Sequence, residues 1–372
     1  MIMLIRSGTG HTNRRYRSVK NAYSIKYAFF TYDILKYMNI YLKSGYLNAE
    51  EIVKTKIPFT FITGARGIGK TYGFFKYFIS NHIPFILMRR LQDEAELQHD
   101  PITSSLSPVC FDLSIPWHSE KVSKKIRKII RDDTGDELCI IIALSTFSGA
   151  RGIDLTRYDY CIYDEFITEP HVRSIKMEGL ALMNAYETIN RNKELQGHDP
   201  VMMICLSNSL NIANDIFMQF DLVSIAESML EMDQEIYQDP ENHLQLYILQ
   251  HSPISAKKAK TALYTAGSEE YAKMAIENKF ILNDFTYVKK RSLKEYVCIW
   301  SVGDLYVYQH KSRQEEYYIT FTKGPTKKIY GSNYMDLQRC RRDKWRYWTM
   351  YLDGCIRFDS YKAVALFEKY FN

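Results

Sequence analysis

The stretch that most constrains this chain is "FITGARGIGKTYGFFKYF", residues 61–78. Gly64 and Gly69 bracket four residues, and Lys70 and Thr71 follow directly, which is the P-loop spacing G-x-x-x-x-G-K-[ST]. In such a loop the backbone N–H groups bind nucleotide phosphates, and glycines are needed where a side chain would block close approach. A helix must begin there, because its N-terminus attracts anions.

The residues around the loop fit this requirement. "IPFTFIT" (57–63) predicts a short buried strand, and "KTYGFFKYFISNH" (70–82) predicts a helix with an aromatic face. We therefore expect ATP binding, with Lys70 on the β- and γ-phosphates and the Thr71 hydroxyl on Mg²⁺. The predicted ATP-binding residues are Gly64, Ala65, Arg66, Gly67, Ile68, Gly69, Lys70 and Thr71.

Apolar runs alternate with helical stretches beyond the loop. Further strands are predicted at 83–90, 138–146, 158–166 and 200–208. Their apolarity is continuous, which is typical of a parallel sheet covered by helices on both faces, and so the predicted fold class is α/β. Apolar spacing of three and four predicts a helix over 175–192. Residues 119–133 predict a helix with a strongly basic face, either solvated or in contact with DNA.

The pattern changes after about residue 250. A helical connector is expected first, and from residue 285 two alternating runs flank a turn at Gly303-Asp304. Residues 315–322 continue as a strand, and 361–371 predict a closing amphipathic helix. The predicted domains are a basic N-terminal arm, a P-loop ATPase domain, a helical linker and a small α+β domain, at 1–45, 46–250, 251–284 and 285–372.

Composition excludes several classes of protein. Of the 372 residues, 46% are hydrophobic and 25% are charged, which is typical of a globular protein and not of a disordered one. The net charge of +6 permits a nucleic-acid partner without requiring one. The cysteines have no zinc-site spacing, and no apolar run approaches the roughly 20 residues that cross a bilayer. We expect no membrane partner.

An acidic pair ends the strand predicted at 158–166. In "CIYDEF" Asp164 is expected to hold the Mg²⁺ shell, as a Walker B carboxylate does, and Glu165 to act as the general base that polarises the attacking water. A further strand candidate separates the P-loop from this pair. That order indicates the additional-strand, catalytic-glutamate (ASCE, RecA-like) branch of P-loop ATPases, which includes ring translocases, helicases and AAA+ machines.

Two further elements of an ATPase site are less specific. Ser207 and Asn208 end the next strand and would face the γ-phosphate as a sensor, although both residue types also favour turns and N-caps. Ring ATPases use an arginine from a neighbouring subunit, because charge develops on the γ-phosphoryl group. Spacing does not choose among the candidates, which are Arg89, Arg90, Arg151, Arg173 and Arg191.

With these residues assembled, the chain resembles the DNA-packaging ATPases of phi-29-like podoviruses. The similarity is carried by "GARGIGKTY", "YDEFI", and "ETINRNKE" followed by "CLSN". It continues through "ENKFILND", "KKRSLK" and "GCIRFD", so it runs from roughly residue 50 to the C-terminus. The resemblance implies that Arg191 is the trans-acting arginine finger and that Arg151 is a second basic residue near the neighbour's nucleotide. It implies that Glu165, Arg191 and Lys70 are catalytic.

The resemblance also implies a homomeric ring, usually a pentamer, on the portal or connector of the procapsid. Such a ring drives viral double-stranded DNA inward with ATP and Mg²⁺. It would work in the host cytoplasm, attached only transiently to the procapsid and absent from the mature virion. The last domain would be a vestigial RNase H-like nuclease fold without activity. In some relatives this domain docks on a structural RNA, for which "RCRRDKWRYW" (339–348) is a candidate beside a plain solvated helix.

Two other functions remain open from the residues alone. One is a hexameric helicase or AAA+ translocase acting on single strands or peptides. The other is a nucleotide-switched DNA-binding module, in which Glu165 would be idle. Strand separation would favour the first, and ATP turnover that does not rise with DNA would favour the second.

Overall fold

The structure is a computed structural model that describes residues 40–150, 152–167, 175–208, 211–258, 260–266 and 288–371. The chain separates into a unit of residues Met1–Ile40, of which only Ile40 is described, and a compact unit from Tyr41 to Asn372. The basic arm predicted at 1–45 therefore lies mostly outside the described residues.

A nine-stranded sheet forms its larger part. Its strands are β1 Phe59–Gly64, β2 Phe85–Arg89, β3 Trp117–Lys121, β4 Arg127–Arg131, β5 Glu137–Ala143, β6 Tyr160–Asp164, β7 Met202–Ser207, β8 Ile236–Asp239 and β9 Leu244–Leu249. They lie in the order β3-β4-β5-β2-β6-β7-β1-β9-β8. The six from β5 to β9 in that order are parallel, and β3, β4 and β8 pair antiparallel at the two sides. The predicted α/β fold is thus confirmed, with a sheet that is mostly but not entirely parallel.

Helices of the larger part connect these strands. They are α1 Ala49–Val53, α2 Lys70–Ser80, α3 Gln92–Glu96, α4 Ser107–Asp112, α5 Glu178–Asn190, α6 Asp215–Gln219 and α7 Val223–Glu231. Short 3₁₀ helices occur at Leu97–His99, Leu144–Ala150 and Lys193–Gln196. The strand cores are buried, as their continuous apolarity predicts; Phe61, Ile140 and Ile204 have no exposed surface. The predicted helices at 70–82 and 175–192 are confirmed.

The helix predicted at 119–133 is wrong. This segment forms an antiparallel hairpin of β3 and β4, in which Trp117 pairs with Arg131 and Lys121 with Arg127. The β-branched Ile126 and Ile129 fit a helical spacing equally well, but β-branched side chains favour strands, and both are buried by the sheet. The basic residues therefore line an edge hairpin, where charge hinders pairing with another chain.

A second, five-stranded sheet follows. Its strands are β10 Tyr296–Val302, β11 Leu305–His310, β12 Tyr317–Thr320, β13 Ile329–Tyr330 and β14 Ile356–Phe358, in the order β13-β10-β11-β12-β14. The predicted hairpin turn at Gly303-Asp304 is confirmed, since Val302 pairs with Leu305 and Gly303 has a φ of 52°. Two helices cover this sheet, α10 Tyr334–Leu352 and α11 Tyr361–Phe371, and a short 3₁₀ helix at Leu293–Glu295 precedes it.

The segment between the two sheets begins with short helices, α8 Pro253–Lys258 and α9 Ala262–Ala266. Most of the linker predicted at 251–284 lies outside the described residues. The two sheets also meet through α11, because Tyr361 packs into the core of the larger sheet and Lys369 Nζ lies 3.1 Å from Asp215 Oδ1. Within the described residues, no helix is both long and apolar enough to span a bilayer.

Candidate active site

The P-loop lies at the carboxyl end of β1 and leads directly into α2. Lys70 and Thr71 are the first two residues of that helix, as the sequence predicts. Gly67 and Gly69 have left-handed φ values of 74° and 88°. L-residues rarely adopt this conformation, so the loop needs glycine at both places. At Gly64 an added Cβ would lie 2.7 Å from Ile68 Cδ1 and 3.1 Å from Leu249 Cβ, so a side chain there would displace its neighbours.

Lys70 is buried and folds back over the loop. Its Nζ donates hydrogen bonds to the carbonyl oxygens of Gly64 at 2.6 Å and Ala65 at 2.9 Å. Burial lowers the pKa of Lys70 to about 7, although the nearby charge of Asp164 opposes this change. The hydrogen bonds hold the Lys70 amino group beside the loop. A phosphate bound there would favour its protonated, charged form.

Two more cations stand beside this loop. The Nζ of Lys258, the last residue of α8, donates to the carbonyl oxygen of Arg66. Lys258 and Arg66 both lower the pKa of Lys70 further by repulsion. No local sequence signal marks Lys258, because 192 positions separate it from its partner. Three cations thus gather at the P-loop, whose backbone N–H groups precede a helix, and this arrangement favours a polyanion.

Thr71 and Asp164 meet across the sheet edge. The Thr71 hydroxyl donates to Asp164 Oδ1 at 3.1 Å. Both β1 and β6 have their carboxyl ends at this edge, because they belong to the parallel part of the sheet with β7 between them. A hydroxyl and a carboxylate in contact beside a phosphate-binding loop fit Mg²⁺, which takes one or two protein oxygens and completes its shell with phosphates and water. No cluster of three or more His, Cys, Asp or Glu side chains suited to a metal occurs in the described part of the chain.

Arg89 joins the two acidic residues. It is the last residue of β2, which lies beside β6, and its Nη1 is 2.8 Å from Asp164 Oδ2 while its Nη2 is 2.6 Å from Glu165 Oε2. Arg89 was one candidate for an arginine donated to a neighbour, but here it is buried and engaged within its own chain. Arg89 ends a strand that neighbours the strand carrying Asp164 and Glu165. That position is a signal from which its pairing with the two carboxylates could have been predicted.

The environment of Asp164 favours its neutral form. Burial raises the pKa of Asp164 above its ordinary value, and the neighbouring Glu165 adds to this increase. Arg89, Thr71 and Lys70 act in the opposite direction. The ionised carboxylate therefore depends on these partners, of which Arg89 has the strongest lowering effect.

Glu165 has an unusual backbone. Its φ is 60°, in the left-handed region, and its side chain is about half exposed, at 49%. The N–H of Glu165 donates to Asp164 Oδ1 at 3.1 Å, and the next residue, Phe166, donates to Leu206 O on β7. A non-glycine residue in this conformation costs of order 1 kcal/mol or more and is often found at functional sites. The strand end thus directs Glu165 out of the sheet.

A buried ion pair lies behind these residues. Arg90 donates from Nε and Nη2 to Glu178 at 2.7 and 2.8 Å, and the Tyr163 hydroxyl donates to the same carboxylate at 2.5 Å. This network joins the residue that follows β2, a residue of β6 and the first residue of α5. Arg90 is therefore engaged within its own chain, like Arg89, and the sequence did not predict the pair.

Ser207 is the last residue of β7, the middle strand of the site, and Asn208 follows it. In the sheet register Ser207 is opposite Thr63 of β1, and Leu206 is opposite Asp164 of β6. The carboxyl end of β7 therefore lies between the P-loop and the acidic pair. This is where a residue that senses the γ-phosphate is expected.

Arg191 is not brought to this edge. It caps the C-terminus of α5, which runs from the carboxyl end of β6 back toward the amino end of β7. The neighbouring Lys193 bonds to the carbonyl of Tyr158, just before β6 begins. Arg191 is exposed, and its Nη2 donates to Ile153 O at 3.2 Å. It therefore lies at the opposite edge of the sheet from Lys70, while Arg151 and Arg173 lie outside the described residues.

DNA packaging proteins of Bacillus phages are similar in sequence to much of this chain. The chain is 26% identical over 257 residues to the DNA packaging protein of Bacillus phage phi29, covering 67% of this chain and 70% of that protein. With the DNA packaging protein of Bacillus phage B103 it shares 27% identity over 245 residues, covering 62% and 67%. These relatives are aligned over most of their length.

Solved structures share the fold. A chain of the bacteriophage Phi-29 viral genome packaging motor assembly matches with a TM-score of 0.61 and 23% identity, covering 87% of this chain and 99% of that chain. The Phi-28 gp11 DNA packaging motor matches with a TM-score of 0.60 and 17% identity, covering 88% and 97%. At such identities the likeness shows the fold alone.

The family model of the podovirus DNA encapsidation protein (Gp16) matches residues 41–365 of the 372. This match includes the P-loop, the Asp-Glu pair and the second sheet, and it confirms the resemblance drawn from the motifs. The chain therefore belongs to the family of podovirus DNA encapsidation proteins, and its function is in viral DNA packaging.

Proposed function

We propose that this chain is an ATP-driven motor that hydrolyses ATP to move viral double-stranded DNA into a procapsid. The observation that carries the proposal is the meeting of Thr71, Asp164 and Glu165 at the sheet edge that also holds the P-loop. The ASCE type is supported by β7, because it separates the P-loop strand from the strand that carries the acidic pair. A binding module that only senses nucleotide would have no need of a strained, outward-directed Glu165.

Each residue has a distinct role in this proposal. The backbone of residues 64–69 and the Lys70 ammonium bind the phosphates, and Thr71 with Asp164 would hold Mg²⁺. When bound, Mg²⁺ would neutralise charge on the phosphate oxygens. Glu165 would orient a water molecule and accept its proton, after release from Arg89. Ser207 and Asn208 would contact the γ-phosphate or this water from the end of β7.

The catalytic arginine would come from a neighbouring subunit. Arg191 is exposed at the sheet edge opposite its own P-loop, so in a head-to-tail ring it can face only another subunit's nucleotide. Arg151 would be the second basic residue in that interface. We propose a homomeric ring of five subunits, with DNA in the central channel gripped mainly through its phosphates.

The ring would sit on the portal of the procapsid in the host cytoplasm and leave before the virion matures. The second sheet is proposed to be a vestigial RNase H-like domain without nuclease activity. This is supported by its β10-β11-β12 meander with β13 parallel to β10, and by Asp304, whose place on a turn leaves it outside the strands. A structural RNA could dock on α10, where Trp345 is 66% exposed among arginines.

The decisive experiment is steady-state ATP turnover with and without long double-stranded DNA. We expect DNA to stimulate turnover, and Glu165→Gln and Arg191→Ala each to lose it. Mixing the two inactive variants should restore part of the activity, because a Glu165→Gln subunit can supply its arginine to an Arg191→Ala neighbour. Glu187→Ala, an exposed change one turn earlier on α5, should keep full activity.

Other outcomes would decide against the motor. If Arg191→Ala keeps full activity, the proposed role of Arg191 across a subunit interface is wrong. If DNA changes nothing, a nucleotide-switched binding module fits better. Separation of DNA strands during turnover would instead support a helicase.

A further inference from the structure

The segment that follows β9 returns to the phosphate loop. Because β9 lies parallel to β1 and beside it, its carboxyl end reaches the same sheet edge as the P-loop. Ser252 then bonds to the carbonyl of Gly45 at 3.3 Å, and α8 begins at Pro253 and ends at Lys258. In the sequence, α9 and then the second sheet come after α8. The helix is thus the first element of the connection between the two sheets, and its last residue lies on the loop.

Lys258 is in direct contact with the loop backbone. Its Nζ donates to the Arg66 carbonyl oxygen. A Cβ placed on Gly67 would lie 2.9 Å from Lys258 Nζ and 3.1 Å from its Cε. The lysine stem therefore packs on the glycine, and any side chain at position 67 would displace it. Gly67 therefore permits the contact with Lys258 and also permits its own left-handed backbone conformation.

The charge at this place favours a phosphate ligand. Lys70 Nζ contacts the carbonyl oxygens of Gly64 and Ala65, and Lys258 Nζ contacts that of the next residue, Arg66, so the two lysines and Arg66 lie at one short stretch of the loop. Gathering like charges is unfavourable unless an anion binds among them. The loop amides and the start of α2 add further positive potential.

The position of Lys258 indicates which phosphate of the nucleotide it would contact. In a P-loop the lysine of the motif reaches the β- and γ-phosphates. Here the Lys70 ammonium lies against Gly64 and Ala65, so the terminal phosphate belongs beside the first half of the loop. Arg66, which Lys258 contacts, is the next residue along. The α-phosphate and the sugar lie farther toward α2.

We propose that Lys258 binds the terminal phosphate of the bound nucleoside triphosphate, exchanging the Arg66 carbonyl for a phosphate oxygen. The inference rests on the proposed function, in which this loop binds ATP. A lysine from the connection between the two sheets then senses whether the γ-phosphate is present. Loss of that phosphate returns Lys258 to the Arg66 carbonyl, so the state of the nucleotide is transmitted to the end of α8.

The test is nucleotide affinity in the full-length chain, measured by displacement of a fluorescent ATP analogue with ATP, ADP or AMP. We expect Lys258→Ala to weaken ATP binding about tenfold, the scale of one charged phosphate contact, and to change ADP and AMP binding by less than about twofold. Lys257→Ala, an exposed lysine on the same short helix, is the matched control and should bind all three as the unaltered chain does.

Two further variants separate a phosphate contact from a purely structural one. Lys258→Arg keeps the charge and should retain most of the preference for ATP. Lys258→Gln keeps a donor for the Arg66 carbonyl but has no charge, so it should behave like Lys258→Ala. If Lys258→Gln binds ATP normally, or if Lys258→Ala weakens all three nucleotides equally, the lysine only supports the loop and the inference is wrong.

The Lys70→Ala variant distinguishes this failure from failure of the proposed function. If the unaltered chain binds ATP, Lys70→Ala does not, and Lys258→Ala binds normally, only the role of Lys258 is overturned. If the unaltered chain binds no ATP at all, the proposed function and this inference both fall.

Discussion

Arg89 and Glu165 form an ion pair at the carboxyl edge of the larger sheet, with 2.6 Å between Nη2 and Oε2. The same guanidinium holds Asp164 through its other terminal nitrogen at 2.8 Å. One buried cation therefore balances the residue proposed to hold Mg²⁺ and the residue proposed to act as base. The ion pair occupies Glu165 Oε2, so in the proposed mechanism Glu165 would leave Arg89 before it contacts the attacking water, while Asp164 stays.

Removing this cation should destabilise the protein. Arg89→Met leaves Asp164 as an uncompensated charge at a buried site, and such a change typically costs about 3–5 kcal/mol. We expect a loss of this size in the free energy of unfolding in urea. The double variant Arg89→Met/Asp164→Asn should recover more than half of it, because the buried charge is gone. An unaltered stability of Arg89→Met would show that the pair does not hold this edge together.

Glu165→Gln should separate binding from chemistry. The amide keeps the size of the side chain but cannot accept a proton, so we expect turnover to fall about 100-fold or more. Nucleotide affinity should stay within about twofold, since Glu165 does not touch the loop that binds phosphate. Rapid-quench measurement of a single turnover, beside equilibrium binding, tests both. A large fall in affinity would mean that Glu165 belongs to the binding site instead.

The pH dependence of ATP binding follows from Lys70. Its pKa is lowered from 10.5 to about 7, so above pH 7 the folded protein without nucleotide holds Lys70 mostly neutral. A phosphate favours the charged form, so binding above pH 7 takes up a proton and apparent affinity falls by up to about tenfold per pH unit. Calorimetry in buffers of different ionisation enthalpy should detect this proton uptake. Lys258→Ala should move the fall to higher pH, because Lys258 depresses the pKa of Lys70.

The lowered pKa of Lys70 makes the stability of the folded protein rise with pH, whereas it makes nucleotide affinity fall. In the unfolded chain Lys70 remains charged up to about its ordinary value of 10.5. Burying that charge opposes folding most strongly below pH 7, and the penalty declines as pH rises from 7 toward 10.5. Nucleotide affinity and the Lys70 contribution to stability should thus change in opposite directions over this range. Urea unfolding from pH 6 to pH 9, compared with Lys70→Met, should show this difference.

Two glycines near the start of α2 should respond differently to alanine. Gly69 has a φ of 88°, and a Cβ there would lie 3.1 Å from the Tyr46 ring, so Gly69→Ala should lose about 1–2 kcal/mol. Gly73 lies inside the helix, where the Cβ would make only ordinary contacts with Leu47 and Ala49. Gly73→Ala should therefore gain about 0.5–1 kcal/mol. Urea unfolding of both variants tests the contrast, and equal losses would contradict it.

Two tryptophans, one buried in the second sheet and one exposed on a helix that covers it, should also respond differently to alanine. Trp300 is 1% exposed on β10, and Trp300→Ala should cost about 3–5 kcal/mol through the cavity it leaves. Trp345 on α10 is 66% exposed, and Trp345→Ala should change stability by less than about 0.5 kcal/mol. A large loss for Trp345→Ala would show that its side chain is part of the core and is not available to a partner.

Features that depend on neighbouring residues in the chain were correctly predicted from the sequence. The P-loop pattern, the strand ending in Asp164 and Glu165, the hairpin at Gly303 and the helix Tyr361–Phe371 are all local. In each case a short run of residues carries enough information, through the spacing of apolar side chains or the backbone freedom of glycine, to select one conformation. The motif residues of the site were therefore identifiable in advance.

Only the tertiary structure decided which residues meet across the sheet. It placed β9 beside β1, paired residues 117–131 as strands where periodicity had favoured a helix, and brought Arg89 to the acidic pair and Lys258 to the phosphate loop. Apolar spacing does not encode strand order, and β-branched residues at helical spacing are compatible with either element until a neighbouring strand offers hydrogen bonds. The sequence by itself thus determined the local motifs that bind phosphate and bear the carboxylates. The packing of distant segments determined the cations that balance those charges, because electrostatic contacts depend on distance in space and not on separation along the chain.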